Sequence, residues 1–203
     1  MEQHIAFLKR HGFVIAGVAL PVVVLVAFAL ARMAARYTVA DPLYDVVYSI
    51  GGEYSATQSD RVCDLGVGGD GRLRARWSAA EPAQYPEPPR AFRLHASSGA
   101  WDELDVPAPE DLAAAGGHVE LEVEGLGDVR LDTSVRAPDG WEFDSSYSGG
   151  GPFGEIFGGG SGRLRNSIRR NGRSIEVPHP GADPYGYPAV TFLGWAIPAG
   201  ESR

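Results

Sequence analysis

From residue 40 onward, apolar and polar side chains alternate in short runs broken by glycine, proline, asparagine and aspartate. A period of two marks a strand with one buried face, whereas an amphipathic helix repeats every 3.6 residues. Eleven segments read as strands: 44–50, 61–67, 72–77, 91–96, 101–106, 118–124, 129–136, 141–145, 164–170, 173–177 and 189–197. One short helix is predicted over 109–115, where "PEDLAAAGG" sets proline and acids in a first turn and glycines after the last.

Two pairs of these runs predict hairpins. Val119, Leu121 and Val123 alternate with His118, Glu120, Glu122 and Glu124, and Val129, Leu131, Thr133 and Val135 alternate with Arg130, Asp132, Ser134 and Arg136. Setting Val123 against Val129 matches Leu121 with Leu131 and Glu122 with Arg130, one apolar face and one charged face. In "RLRNSIRRNGRSIEV", Asn171-Gly172 suits a type I′ turn, which needs positive φ at both central residues. That turn places Arg170 opposite Arg173 and Ile168 opposite Ile175, with the paired arginines in solvent. The proline-rich stretches 84–90 and 106–111 read as connections within one domain.

The N-terminus follows another pattern. Residues 13–30, "FVIAGVALPVVVLVAFAL", run for 18 positions without a charge or a strongly polar side chain. With Ala31 the run nearly spans a bilayer's hydrocarbon core as a helix, and lipid tolerates the kink at Pro21. Ala29-Leu30-Ala31 has the small-x-small form of a signal-peptide cleavage site. The run exceeds the usual signal-peptide core of about 7–15 residues, so an uncleaved anchor is expected. The expected organisation is a tail over 1–12, a transmembrane helix over 13–31 and a β-rich soluble domain over 37–203. Lys9 and Arg10 before the run nearly balance Arg32 and Arg36 after it. The short tail and large C-terminal body favour a single-pass signal-anchor in a bacterial-type inner membrane with the body periplasmic.

Charge sharpens this division. The 203-residue chain carries −8, of which residues 1–36 hold +3 and residues 37–203 hold −11. An acidic body of this size suits one ordinary core and argues against a nucleic-acid partner, whose phosphates demand a basic face. The single cysteine, Cys63, excludes an intrachain disulfide and a cysteine-built zinc site, and reads as a small buried residue.

"VVYSIGG" (46–52) followed by "FRLHASSGAWDELDVPAP" (92–109) resembles a kelch repeat, in which hydrophobics run into a Gly-Gly doublet and a tryptophan precedes a closing strand. "SVRAPDGWEF" (134–143) is similar to the Pro-Asp-Gly turn of TolB-type propeller blades. The resemblance implies a β-sheet unit with blade-like hairpins, and no activity, because propellers host many functions.

Candidate chemistry is sparse. Residues 146–163, "SYSGGGPFGEIFGGGSGR", hold eight glycines. The Lys-Ser or Lys-Thr of a P-loop is absent, and a dinucleotide loop would have to open a helix, whereas this stretch leads into a hairpin. Phe153, Ile156 and Phe157 are large apolar residues in a glycine-rich tip, which marks them as the candidate partner-contact residues. His4, His11, His95, His118 and His179 show no metal-ligand spacing. Asp102, Glu103, Asp105, Glu110 and Asp111 straddle a strand, unlike the tight loop of a calcium site, and read as a solvated acidic face. No Gly-x-Ser-x-Gly nucleophile elbow occurs.

The expected fold is therefore an all-β extracytoplasmic domain of antiparallel sheets, sandwich or blade-like, behind one N-terminal transmembrane helix. The expected role is a non-catalytic accessory or interaction module of an envelope complex. Its partners would be membrane lipid through residues 13–31 and a membrane protein, with no cofactor, metal or nucleic acid. The alternative is an enzyme or small-ligand binder with a site in loops 84–90, 146–162 and 178–188, lined by Trp141, Tyr147, Tyr185 and Tyr187.

Overall fold

The computed structural model describes residues 17, 19–31, 33–34, 37–51, 59–83, 88–148, 163–181 and 190–201. Within them the alternating runs fold as strands: β1 (Asp45–Ile50), β2 (Ser59–Val67), β3 (Leu73–Ala83), β4 (Arg90–Leu94), β5 (Trp101–Leu104), β6 (His118–Glu122), β7 (Val129–Asp132), β8 (Glu142–Ser148), β9 (Arg163–Arg170), β10 (Arg173–Glu176) and β11 (Val190–Pro198). Each overlaps one of the eleven segments expected from the pattern. They build three antiparallel sheets, ordered β5-β4-β1-β11-β7, β10-β9-β8 and β2-β3-β6.

The five-stranded sheet is apolar on both faces. Val47 of β1, Ala91 of β4, Leu104 of β5, Leu131 of β7 and Leu193 and Ala196 of β11 share a buried cluster with Leu65 of β2 and Leu73, Ala75 and Trp77 of β3. Trp77 also anchors the chain after β5, donating its indole N–H to the carbonyl of Pro107 at 2.9 Å. The register carries Val46, Tyr48, Phe92, Leu94, Phe192 and Trp195 to the opposite face. There Tyr48 stacks on Phe92 (5.5 Å between centroids), Phe92 meets the edge of Trp101, and Phe192 stacks on Phe143 of β8 (4.8 Å) and meets Trp195. Burying strands on both faces explains why β1 and β11 read as nearly continuous apolar runs.

Two expectations are corrected. Residues 109–115 form no helix; turns cover residues 112–117. Asp111 caps a single turn by accepting the N–H of Ala114 at 2.9 Å, and Gly116 and Gly117 (φ 75° and 81°) stop it at once. One turn does not repay the cost of helix nucleation. Second, β6 and β7 alternate as expected but do not pair with each other. β6 pairs with β3, setting Glu122 against Arg74, while β7 pairs with β11, setting Leu131 against Ala196. Gly125 and Gly127 (φ 92° and 69°) carry the chain from one sheet to the other. The N–H of Val123 is accepted by the Leu73 carbonyl and that of Leu131 by the Gly71 carbonyl.

The second hairpin forms as expected. Asn171 and Gly172 take φ of 44° and 82°, and the Val177 N–H reaches the Asn166 carbonyl at 2.9 Å in the register that a two-residue turn imposes. The Pro-Asp-Gly turn also forms: Gly140 (φ 88°) donates to the Ala137 carbonyl, and Ala137 donates to that of Trp141. Its strands, β7 and β8, belong to different sheets, and the sheets have five, three and three strands rather than repeated four-stranded blades.

The chain divides into two compact units, Met1–Ala40 with Asn171–Arg173, and Asp41–Arg170 with Ser174–Arg203. In the first, residues 19–31 are helical and their side chains are exposed throughout. Among the described residues no helix is long and apolar enough to cross a membrane. Residues 13–16 and 18 of the expected transmembrane run lie outside the described residues.

Candidate functional site

Phe153, Ile156 and Phe157 lie outside the described residues. The strands flanking their segment are described: Ser148 ends β8 and pairs with Arg163, which opens β9. The glycine-rich stretch thus joins two neighbouring antiparallel strands, not the strand-to-helix junction that cradles a phosphate.

The densest group of titratable side chains lies elsewhere, at the end of the five-stranded sheet. β1 begins at Asp45 and β4 ends at Leu94, so Asp45, Arg93 and His95 meet on the face that carries Val47 and Ala91. A turn over 95–100 then returns the chain along β5, which sets Asp102 opposite Arg93. The His95 backbone N–H donates to the Ala100 carbonyl, and the Gly99 N–H (φ 71°) donates back to the His95 carbonyl, both at 2.8 Å. The His95 ring is held between two carboxylates, with Nδ1 3.0 Å from Asp45 Oδ2 and Nε2 2.6 Å from Asp102 Oδ2. Asp45 also accepts Arg93 Nε at 2.8 Å and the backbone N–H of Ala96 at 3.0 Å.

The hydrogen bond to Asp102 is the main cause that raises the His95 pKa above its ordinary 6.5; burial opposes it, and the bond and charge of Asp45 add to it. Both ring nitrogens are therefore engaged. The ring thereby ties the end of β4 to β1 and β5 through its two carboxylate partners.

Three of the five acids of the expected acidic face have partners of their own. Asp102 holds His95, Glu103 takes Arg90 in a two-pronged bond with both contacts at 2.6 Å, and Asp111 caps its turn. The Arg90 guanidinium lies 5.1 Å from the Phe92 ring centre and holds the Glu103 carboxyl below its usual range. Among the described residues no three His, Cys, Asp or Glu side chains come together to hold a metal ion.

Cys63 lies on β2 opposite Trp77, half-buried against the first core, and burial pushes its thiol up to about 11. At neutral pH it is a thiol, not a nucleophilic thiolate. Tyr48, whose hydroxyl donates to the Pro178 carbonyl at 2.8 Å, is pushed up to about 12 by burial. Trp141 is fully buried and so does not line an open loop site; Tyr185 and Tyr187 lie outside the described residues.

A cleft of about 190 Å³ opens at the crossover between β6 and β7, lined by Arg72, Glu122, Glu124, Gly125, Leu126 and Gly127 among others. Arg72 partly fills it, donating to the Gly127 carbonyl at 3.2 Å and standing 3.6 Å from Glu122. The outer face of β3 and β6 continues this ion-pair ladder through Arg74, Arg76 and Glu120.

The histidine cluster was hidden in the sequence because its members come from β1, β4 and β5, with 50 residues between Asp45 and His95. The one available signal was local: seven residues separate His95 from Asp102 across a predicted strand–turn–strand. No protein-family model matches this chain, and the searches of the curated proteins and of the solved structures give no match.

Proposed function

We propose that the chain is held in a bacterial-type inner membrane by its N-terminal apolar segment, and that its β-rich body acts on the periplasmic face as a non-catalytic interaction module. The observation that carries the reading is the character of residues 19–31. Leu20, Val22, Val23, Val24, Leu25, Val26 and Leu30 each leave more than half their surface uncovered, on every side of a helix. A helix apolar all round is stable in apolar surroundings, not in water. The uncharged run extends back to Phe13 in the sequence, long enough to reach across the hydrocarbon core. The non-catalytic part is supported by the histidine cluster, where each side chain is committed to another of the same protein.

Carbonate-washed membranes should retain the full-length chain. Recovery of a soluble product beginning near Arg32 would overturn the anchor. A C-terminal alkaline phosphatase fusion should be active and a fluorescent-protein fusion dark; the reverse pair of results would overturn the orientation.

A further inference from the structure

Among the described residues, β2 stands at the edge of its sheet and is the longest edge strand, with nine residues against seven in β8, five in β6 and four in β5, β7 and β10. Over 61–67 it holds no proline, lysine or bulge, devices that usually blunt an edge. The Gly68 N–H donates to the Arg72 carbonyl at 2.9 Å, and the register runs on without a shift to Arg61. In the antiparallel alternation Asp64 and Gly66 therefore turn their backbone groups toward β3, whereas Cys63, Leu65 and Val67 turn theirs outward.

We propose that the outer edge of β2 pairs with β2 of a second copy of this chain, antiparallel about a two-fold axis at Leu65, joining two three-stranded sheets into one of six. Charge and shape carry the choice of occupant. The axis sets Leu65 against Leu65 of the second copy and Cys63 against its Val67, so the apolar face toward the core continues across both copies. On the other face it sets Asp64 of the second copy against Gly66, one strand spacing of about 4.8 Å away. Arg76 of β3 reaches into this place. Its Nε faces Glu120 at 3.4 Å, while Nη1 and Nη2 lie over Gly66, 3.3 and 3.7 Å from where a β-carbon would stand. Asp64 is exposed and makes no ion pair among the described residues. The pairing thus brings each Asp64 to the free side of the other copy's Arg76 guanidinium, twice by symmetry, in the two-pronged fit that carboxylate and guanidinium favour. Neighbouring registers fail. An axis at Cys63 sets Leu65 against Arg61, one at Asp64 sets two acids together, and one at Gly66 brings Asp64 to Gly68, beside Asp70. This pairing involves only the β-rich unit and does not rest on the membrane reading.

The test uses full-length chains carrying two different affinity tags, mixed in detergent. Capture through one tag should recover the other for the native chain. Recovery should be lost for Asp64→Arg alone and for Arg76→Asp alone, since each sets like charges together at both ends of the pairing. Mixing the two variants should restore it, because each supplies the charge that the other lacks, and that restoration also shows that both variants fold. In the native chain the backbone amides of Cys63, Leu65 and Val67 should exchange with solvent more slowly in concentrated than in dilute solution. A native chain that recovers no second copy, recovery that survives both single substitutions, a mixture that recovers no more than either variant alone, or exchange over 63–67 indifferent to concentration would overturn the proposal.

Discussion

His95 shows how one side chain can bind three strands. β1, β4 and β5 each contribute to its surroundings: Asp45 and Arg93 on one side of the ring, Asp102 on the other. Its pKa in the folded protein lies above the unfolded value of 6.5, chiefly through Asp102. A group with a raised folded pKa contributes stability that is fully present below the unfolded pKa and is lost as pH rises through the folded one. The gap in melting temperature between the native chain and a His95→Gln variant should therefore be largest below pH 6.5 and shrink through the region above it. Thermal melts across this range check it; a gap independent of pH would mean that the ring is held for its shape rather than its charge. The sequence offered His95 only as an isolated histidine and Asp102 only as part of an acidic run. No periodicity brings Asp45 to them; the order of the strands does.

At the scale of elements, the period-two pattern located the strands because a half-buried or doubly buried strand must alternate or stay apolar. It did not choose their partners. The β9–β10 hairpin was legible because its turn chemistry is local: Asn171 and Gly172 accept positive φ, and two residues leave no freedom of register. Replacing Gly172 (φ 82°) by valine forces a β-branched residue into that region at a cost of about 1–3 kcal/mol. The melting temperature should fall by several degrees, whereas Gly172→Asn should fall less; an unchanged melt for the valine variant would refute the turn. The β6–β7 segment carried an equally tidy alternation, yet its link holds Gly125, Leu126 and Gly127 rather than a two-residue turn. Leu126 is buried in the first core. Burying that leucine pins the link between two sheets, so each strand finds its hydrogen bonds elsewhere. The short helix failed for a related reason: its few residues match a helix's ends but supply no interior.

In the β-rich unit as a whole, the five-stranded sheet carries buried side chains on both faces. Leu73 belongs to the core shared with β2 and β3, whereas Leu94 lies on the opposite face, level with Val46 and Trp101. Both are almost wholly buried. The two cores share β1, β4 and β11, so neither can come apart without exposing one face of strands that the other needs covered. Truncating either leucine to alanine removes buried methyl groups and leaves a cavity, a cost of about 3–5 kcal/mol. For a body of this size that corresponds to a fall of roughly 6–20 °C in melting temperature. If the cores are coupled through the shared strands, Leu73→Ala and Leu94→Ala should each lower one common transition. The strand signal in circular dichroism and the tryptophan fluorescence should then move together, since Trp77 reports one core and Trp195 the other. Two separated transitions, with only one of them shifted by each substitution, would mean that the faces of the central sheet unfold as independent units.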